Sequence, residues 1–163
     1  NDIDEIKQIV RNNSDLAAIK MEVVRSSPPK KGYLQEIRNI CDKNNIILIF
    51  DECTSGFRET FGGVHKKYNV YPDLCMYGKA LGNGYAITAV VGKKEIMESA
   101  QSTFISSTFW TERIGPTAAL ATLNEMQKTN SWEFISNQGK NLKNNWMKMS
   151  KNLGLNMEGK YLV

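Results

Sequence analysis

Between residues 16 and 92 the chain alternates short apolar runs with segments whose apolar residues recur at helical spacing. Leu16 to Val24 is largely apolar with β-branched residues and runs into the breakers Ser26-Ser27-Pro28-Pro29, which predicts a buried strand entering a loop. From Tyr33 to Lys43 the positions Leu34, Ile37, Ile40 and Cys41 share one helical face, with Asn44-Asn45 as the stop. Ile46 to Phe50 is apolar without interruption and ends at Asp51. A strand apolar on both faces belongs inside a sheet with helices on each side, the mark of a mostly parallel α/β architecture. A polar loop, Thr54 to Asn69, leads to Pro72-Asp73 and a second short run, Leu74 to Tyr77, which ends at Gly78-Lys79. The turn Gly82-Asn83-Gly84 and the run Ala86 to Val91 then predict an antiparallel neighbour.

Beyond residue 92 the pattern becomes helical. Lys93 to Ala100 predicts a short helix, and the Ser/Thr-rich segment Gln101 to Thr111, with Phe104, Phe109 and Trp110, an ordered loop. Pro116 opens a helix running to about Lys128. Ser131 is the expected N-cap of a long helix whose apolar face holds Ile135, Leu142, Trp146 and Met149. A new apolar run starts at Tyr161-Leu162-Val163, and residues 1–10 read as the tail of a preceding element, so the chain reads as part of a longer protein.

Composition narrows the function without naming it. The 163 residues, 41% hydrophobic and 23% charged, suit one α/β unit. A net charge of +4 is mild and spread along the chain, which argues against a nucleic-acid partner. The longest apolar run is too short to span a bilayer, so no membrane partner is expected. Cys41, Cys53 and Cys75 have neither disulfide nor zinc spacing and fit a reducing cytoplasm. His65, the only histidine, sits in the polar Gly62 to Asn69 stretch, where a solvated loop residue is expected; no metal site is anticipated.

Chemistry concentrates where two strands end. Parallel α/β sheets bind ligands at the carboxyl ends of their strands, and here one strand ends in a carboxylate, Asp51, and another in an amine, Lys79. Position alone leaves a plain ion pair open. The series Ile47-Leu48-Ile49-Phe50-Asp51-Glu52-Cys53-Thr54-Ser55-Gly56-Phe57-Arg58, then Pro72-Asp73-Leu74, then Gly78-Lys79-Ala80-Leu81-Gly82-Asn83-Gly84, resembles the signature of class III pyridoxal-phosphate (PLP)-dependent aminotransferases, a family that includes glutamate-1-semialdehyde aminomutase. The resemblance covers Leu16 to Met126. It implies a fold type I PLP-transferase large domain, present in part, with a mostly parallel sheet, helices on both faces and one antiparallel strand. Residues 1–130 would be the C-terminal part of that domain, and residues 131–163 the connecting helix and the start of a small C-terminal domain.

The resemblance further implies that Lys79 forms the Schiff base with pyridoxal 5'-phosphate and that Asp51 contacts the ring nitrogen. A carboxylate there raises the nitrogen's proton affinity, and a lysine able to shed its proton serves first as nucleophile and then as base. Cys53 stands where relatives have a small aliphatic residue against the ring face; a core cysteine is the other reading. Thr108 matches a threonine that reaches the cofactor phosphate of the opposite subunit, although a loop threonine is more often solvated. Arg58 either braces the site or meets a substrate carboxylate. Glu22 resembles the glutamate of a Glu-Pro pair, with Val23 in place of proline. The family's main phosphate-binding loop and ring-stacking aromatic lie upstream of the matched region. The implied partners are a small amino donor, a carbonyl acceptor and a second subunit in a homodimer with shared sites. An intramolecular aminomutase needs the same two residues. A receiver-like module with Asp51 as phosphoacceptor is the alternative outside that chemistry.

Overall fold

A computed structural model describes residues 2–25, 27–109 and 111–157. Ser26 of the breaker cluster, Trp110 of the Ser/Thr-rich loop and the run Tyr161 to Val163 lie outside the described residues. Four strands, β1 (Ala18–Glu22), β2 (Ile47–Asp51), β3 (Leu74–Tyr77) and β4 (Ala89–Gly92), form one sheet in the order β1-β2-β3-β4. β1 and β3 each pair parallel with β2, and β4 pairs antiparallel with β3. Among the described residues five α-helices accompany them: α1 (Ile3–Asn12), α2 (Tyr33–Lys43), α3 (Lys94–Glu98), α4 (Ile114–Thr129) and α5 (Ser131–Asn152).

Strand alternation divides the side chains into two rows. Leu48, Phe50, Cys75 and Tyr77 are buried, and the apolar face of α2 (Leu34, Ile37, Cys41) packs into the same cluster. On the other row Ile47, Ile49, Asp51, Leu74 and Met76 are half-buried, while Lys20, Glu22 and Val90 are exposed. The uninterrupted apolar run of β2 is therefore fully covered on one face and partly covered on the other.

Several boundaries differ from expectation, each for a local reason. Residues 3–12 form a helix rather than a tail, because Asp2 caps it by accepting from the N–H groups of Asp4 (3.0 Å) and Glu5 (3.3 Å) and because Ile3, Ile6 and Val10 pack on the core. β4 begins three residues late, where Gly115 of α4 lies so close that a Cβ on it would sit 2.6 Å from the Ala86 carbonyl oxygen. The helix expected from Pro116 starts at Ile114, since Glu112 accepts from the Ile114 and Gly115 N–H groups and leaves Pro116 in the first turn. Ser131 lies inside α5 rather than capping it: Asn130, at φ 49°, ends α4 and starts α5 in a single left-handed residue. The predicted apolar stripe of α5 is present but exposed at Ile135, Leu142, Trp146 and Met149. Trp132, at its start, meets Phe61 with ring centroids 5.5 Å apart.

The loop after β2 is not solvated as its composition suggests. His65 is buried, and its Nδ1 lies 2.6 Å from Oε1 of Glu52, the residue after β2, itself wholly buried. The carboxylate also accepts from Val64 N (2.5 Å), His65 N (3.0 Å) and Ser55 Oγ (3.0 Å). A charge taken out of water persists only when paired and fully hydrogen-bonded, and Glu52 organises the loop around that requirement.

Asp73 plays a comparable part at the entry to β3. It accepts from Leu48 N (2.7 Å), from Arg38 of α2 (2.9 Å) and from Lys93 after β4 (2.7 Å), joining α2, β2 and the end of β4. Burial pushes its carboxyl up, but these three donors outweigh burial and hold it below the usual range. Asp73→Ala leaves the buried Leu48 N–H without its acceptor and Arg38 with Asp42 alone (2.7 Å), and should cost about 2–3 kcal/mol in urea unfolding, with little change in the slope.

Candidate active site at the strand ends

β2 and β3 run parallel, with Asp51 opposite Met76, so both open at the same edge of the sheet. Asp51 is the last residue of β2. Its Oδ1 accepts from Cys53 N at 3.2 Å and its Oδ2 pairs with Lys20 Nζ at 3.0 Å, across from the neighbouring strand β1. The Lys20 ammonium, outweighing partial burial and aided by the Cys53 N–H and thiol, holds the Asp51 carboxyl below the ordinary carboxylate range. Asp51 is thus an anion at neutral pH.

Lys79 follows β3 and opens a short 3-10 turn, Lys79–Leu81. Its φ of 39° is left-handed, a conformation that a residue with a β-carbon adopts only when its surroundings impose it. The neighbouring turn supplies the constraint through Leu81 N donating to the Gly78 carbonyl (2.9 Å) and Asn83 N to that of Lys79 (3.2 Å). The ammonium donates to Thr54 Oγ1 at 2.6 Å. Thr54 belongs to the segment leaving β2, so this bond ties the two strand ends together.

Cys53 occupies the space between them. A Cβ built on Gly78 would lie 3.6 Å from its Sγ, and both Asp51 and Lys79 act on its thiol electrostatically. Burial, and then the hydrogen bond to Asp51, push that thiol up, so it stays protonated and serves as a donor and packing group. Asp51, Cys53 and Lys79 are therefore brought to one place. A cleft of about 1030 Å³ opens beside Lys79, lined by that residue, Phe57, Arg58, Asn83 and Thr88 with residues of α4 and α5, and Cys53 is not in its lining. Asp51 is not in that lining: it faces the half-covered row of Ile49 and Met76. Thr108 lies on the exposed loop before α4, where its neighbours Ser107 and Phe109 line a smaller cleft that shares Ala86, Ile87 and Thr88 with the first.

Residues 2–155 match the family described as aminotransferase class-III. The chain belongs to the class-III aminotransferase family. It is 38% identical over 148 residues to the 3-aminobutyryl-CoA aminotransferase of Cloacimonas acidaminovorans, covering 86% of this chain and 36% of that protein. It is also 38% identical over 144 residues to the glutamate-1-semialdehyde 2,1-aminomutase of Ignicoccus hospitalis, covering 83% and 34%. The chain spans about a third of the length of these relatives. Among solved structures it superposes on the FumI protein of Sphingopyxis sp. MTA144 with a TM-score of 0.91 at 24% identity (96% of this chain, 40% of that one). It superposes on an ornithine aminotransferase of Plasmodium yoelii with a TM-score of 0.84 at 24% identity (98% and 44%). The fold is that of these fold type I transaminases, α/β with a mostly parallel sheet and one antiparallel pair.

Membership in the class-III family leaves the receiver-like reading of Asp51 without support, as does the antiparallel β4. Two site groups escaped the sequence reading. Lys20 shares a face with Asp51 only because β1 pairs with β2 in the register Glu22↔Asp51, which no local pattern discloses. Thr54 reaches Lys79 across 25 residues of sequence. Glu52, His65 and Cys75 also place a carboxylate oxygen, an imidazole nitrogen and a sulfur within 4.8 Å of one another. The Glu52 oxygens are already taken by four donors, which makes that group a structural centre of this class-III fold.

Proposed function

We propose that this chain forms the cofactor-holding part of a PLP-dependent aminotransferase that passes an amino group from a small amino donor to a carbonyl acceptor. The observation that carries the reading is the delivery of an anionic carboxylate and a primary amine to adjacent strand ends, with a half-buried thiol between them. That donor set fits pyridoxal 5'-phosphate: Lys79 Nζ would hold its aldehyde carbon, Asp51 its ring nitrogen and Cys53 one ring face. When bound, the cofactor supplies an electron sink for the carbanion formed beside the substrate nitrogen.

The chain's own groups then have separable tasks. Asp51, held ionised, would stabilise a proton on the ring nitrogen. Lys79 Nζ would be the nucleophile that holds the cofactor aldehyde carbon and the base that carries a proton beside it. Thr54 orients that nitrogen through its hydroxyl. Arg58, in the same cleft lining, braces the site or meets a substrate carboxylate. Thr108, on its exposed loop, would donate to the cofactor phosphate of the opposite subunit in a homodimer with shared sites. Residues 1–130 would belong to the large domain and 131–163 to the connecting helix and a small domain, which gives the exposed stripe of α5 something to pack against. Three cysteines without pairing suit the cytoplasm. No helix of the described residues is long and apolar enough to cross a membrane.

A second reading has support of its own, since several curated relatives are glutamate-1-semialdehyde 2,1-aminomutases. Both reactions use the same Asp51 and Lys79, and a product assay separates them. The test of the shared reading is Asp51→Asn in the protein that carries this chain. The variant should still take up PLP, while turnover falls about 10²–10³-fold, as for loss of one preorganised charge. Turnover equal to wild type contradicts the assignment, and acetyl-phosphate labelling of Asp51 would revive the phosphoacceptor reading.

A further inference from the structure

We propose that Lys20 is a positioning residue for Asp51, an ammonium group on β1 that shares the Asp51 carboxylate with whatever cation sits at the end of β2. The inference rests on the PLP reading above and deepens it, because the cation in question would be the protonated ring nitrogen.

Strand register places Lys20 beside Asp51. Glu22 pairs with Asp51 and Lys20 with Ile49, so parallel pairing puts Lys20, Glu22, Ile49 and Asp51 in one row on the half-covered face. Lys20 reaches diagonally along that row and brings Nζ to 3.0 Å from Oδ2, while Oδ1 takes the Cys53 N–H. Each carboxylate oxygen thus has a donor from the protein. The Lys20 side chain is 54% exposed and that of Asp51 24%, so the lysine has room to swing aside while the aspartate is fixed at the strand end.

Four other charged or titratable groups surround the pair among the described residues. Glu22 stands beside Asp51 on β1, and Arg25 lies 3.9 Å from Glu22, drawing it toward solvent. Cys53, after β2, donates its thiol to Asp51, and Lys79, after β3, acts on Cys53. β3 contributes the uncharged Met76 to the row. Lys20 is therefore the cation bonded directly to Asp51. A positive charge there keeps the carboxylate ionised, but it also repels a second positive charge brought to the same carboxylate. It should lower the proton affinity of the ring nitrogen relative to a site with an apolar residue at position 20.

The test loads ¹⁵N-labelled pyridoxal 5'-phosphate into the full-length protein and follows the ring-nitrogen resonance against pH in wild type, Lys20→Met and Lys20→Arg. Removing the ammonium should raise the midpoint by about 0.5–1 pH unit, at or below the bottom of the roughly 1–3 units for a close charge because Lys20 is half-exposed. Lys20→Arg keeps the charge and should restore the wild-type midpoint. A Lys20→Met midpoint equal to wild type overturns the proposal, as does a Lys20→Arg midpoint displaced as far as that of Lys20→Met. Failure of wild type to take up the cofactor brings down the PLP reading itself, an outcome visible before any titration.

Discussion

Lys79→Ala is expected to reduce amino-transfer turnover by about 10⁴-fold or more while leaving the fold intact. The size follows from two roles lost together, nucleophile and proton carrier, the second alone being worth about 10²–10⁴. The fold should survive because the ammonium makes a single exposed bond, to Thr54, and because alanine carries the same left-handed strain that lysine already bears at φ 39°. Unfolding free energy within about 0.5 kcal/mol of wild type, combined with lost turnover, is the expected pairing. Lys79→Arg should be as inactive as alanine, since a guanidinium keeps the charge without becoming a nucleophile. Thr54→Val removes only the orienting hydroxyl and should fall between these variants and wild type.

The largest effect on stability is expected at Glu52, one residue from Asp51 and on the opposite side of the strand. Glu52→Ala leaves the Val64 and His65 N–H groups, the His65 ring and the Ser55 hydroxyl without their acceptor in a wholly buried position. Removing one member of such a buried group costs about 3–5 kcal/mol, a large share of a typical domain's stability. Gly63 adds to the constraint, because a Cβ there would sit 2.5 Å from Glu52 Oε1. The pH dependence has a definite sign. Burial pushes the Glu52 carboxyl up, but bonds from the His65 ring and from the His65 and Val64 N–H groups prevail, and it ends below its ordinary 4.5. A depressed carboxyl contributes stability that is complete above its unfolded value and lost as pH falls through the folded one. Wild type should therefore lose this contribution below about pH 4.5, whereas Glu52→Gln, uncharged throughout, should start less stable and lack that step. Urea melts between pH 3 and 7 would show both.

What could be read in advance was local. An apolar run ending in a charge marks a buried strand and the charged residue at its end, so β2 with Asp51 and β3 with Gly78-Lys79 emerged from short windows, as did α2 from four apolar residues at helical spacing. Features that depend on distant partners did not emerge. His65 is polar in a polar loop, and its burial follows from Glu52, 13 residues earlier. The Lys20–Asp51 pair depends on strand register, which neither strand specifies alone. The α5 stripe was visible as a pattern, but a pattern states which face is apolar and not what covers it, and in this chain that face is exposed. Helix α1 was legible in principle, from Asp2 as cap and the Ile3, Ile6, Val10 spacing, yet its apolar positions are too few to stand out.

One amine, Lys79 on the turn after β3, is the expected attachment point for the cofactor. Borohydride reduction of the PLP-loaded protein followed by peptide mapping tests it directly. A single cofactor adduct on the peptide containing Lys79, absent from Lys79→Ala, is the predicted result. An adduct on another lysine, or an undiminished one in Lys79→Ala, would contradict the account.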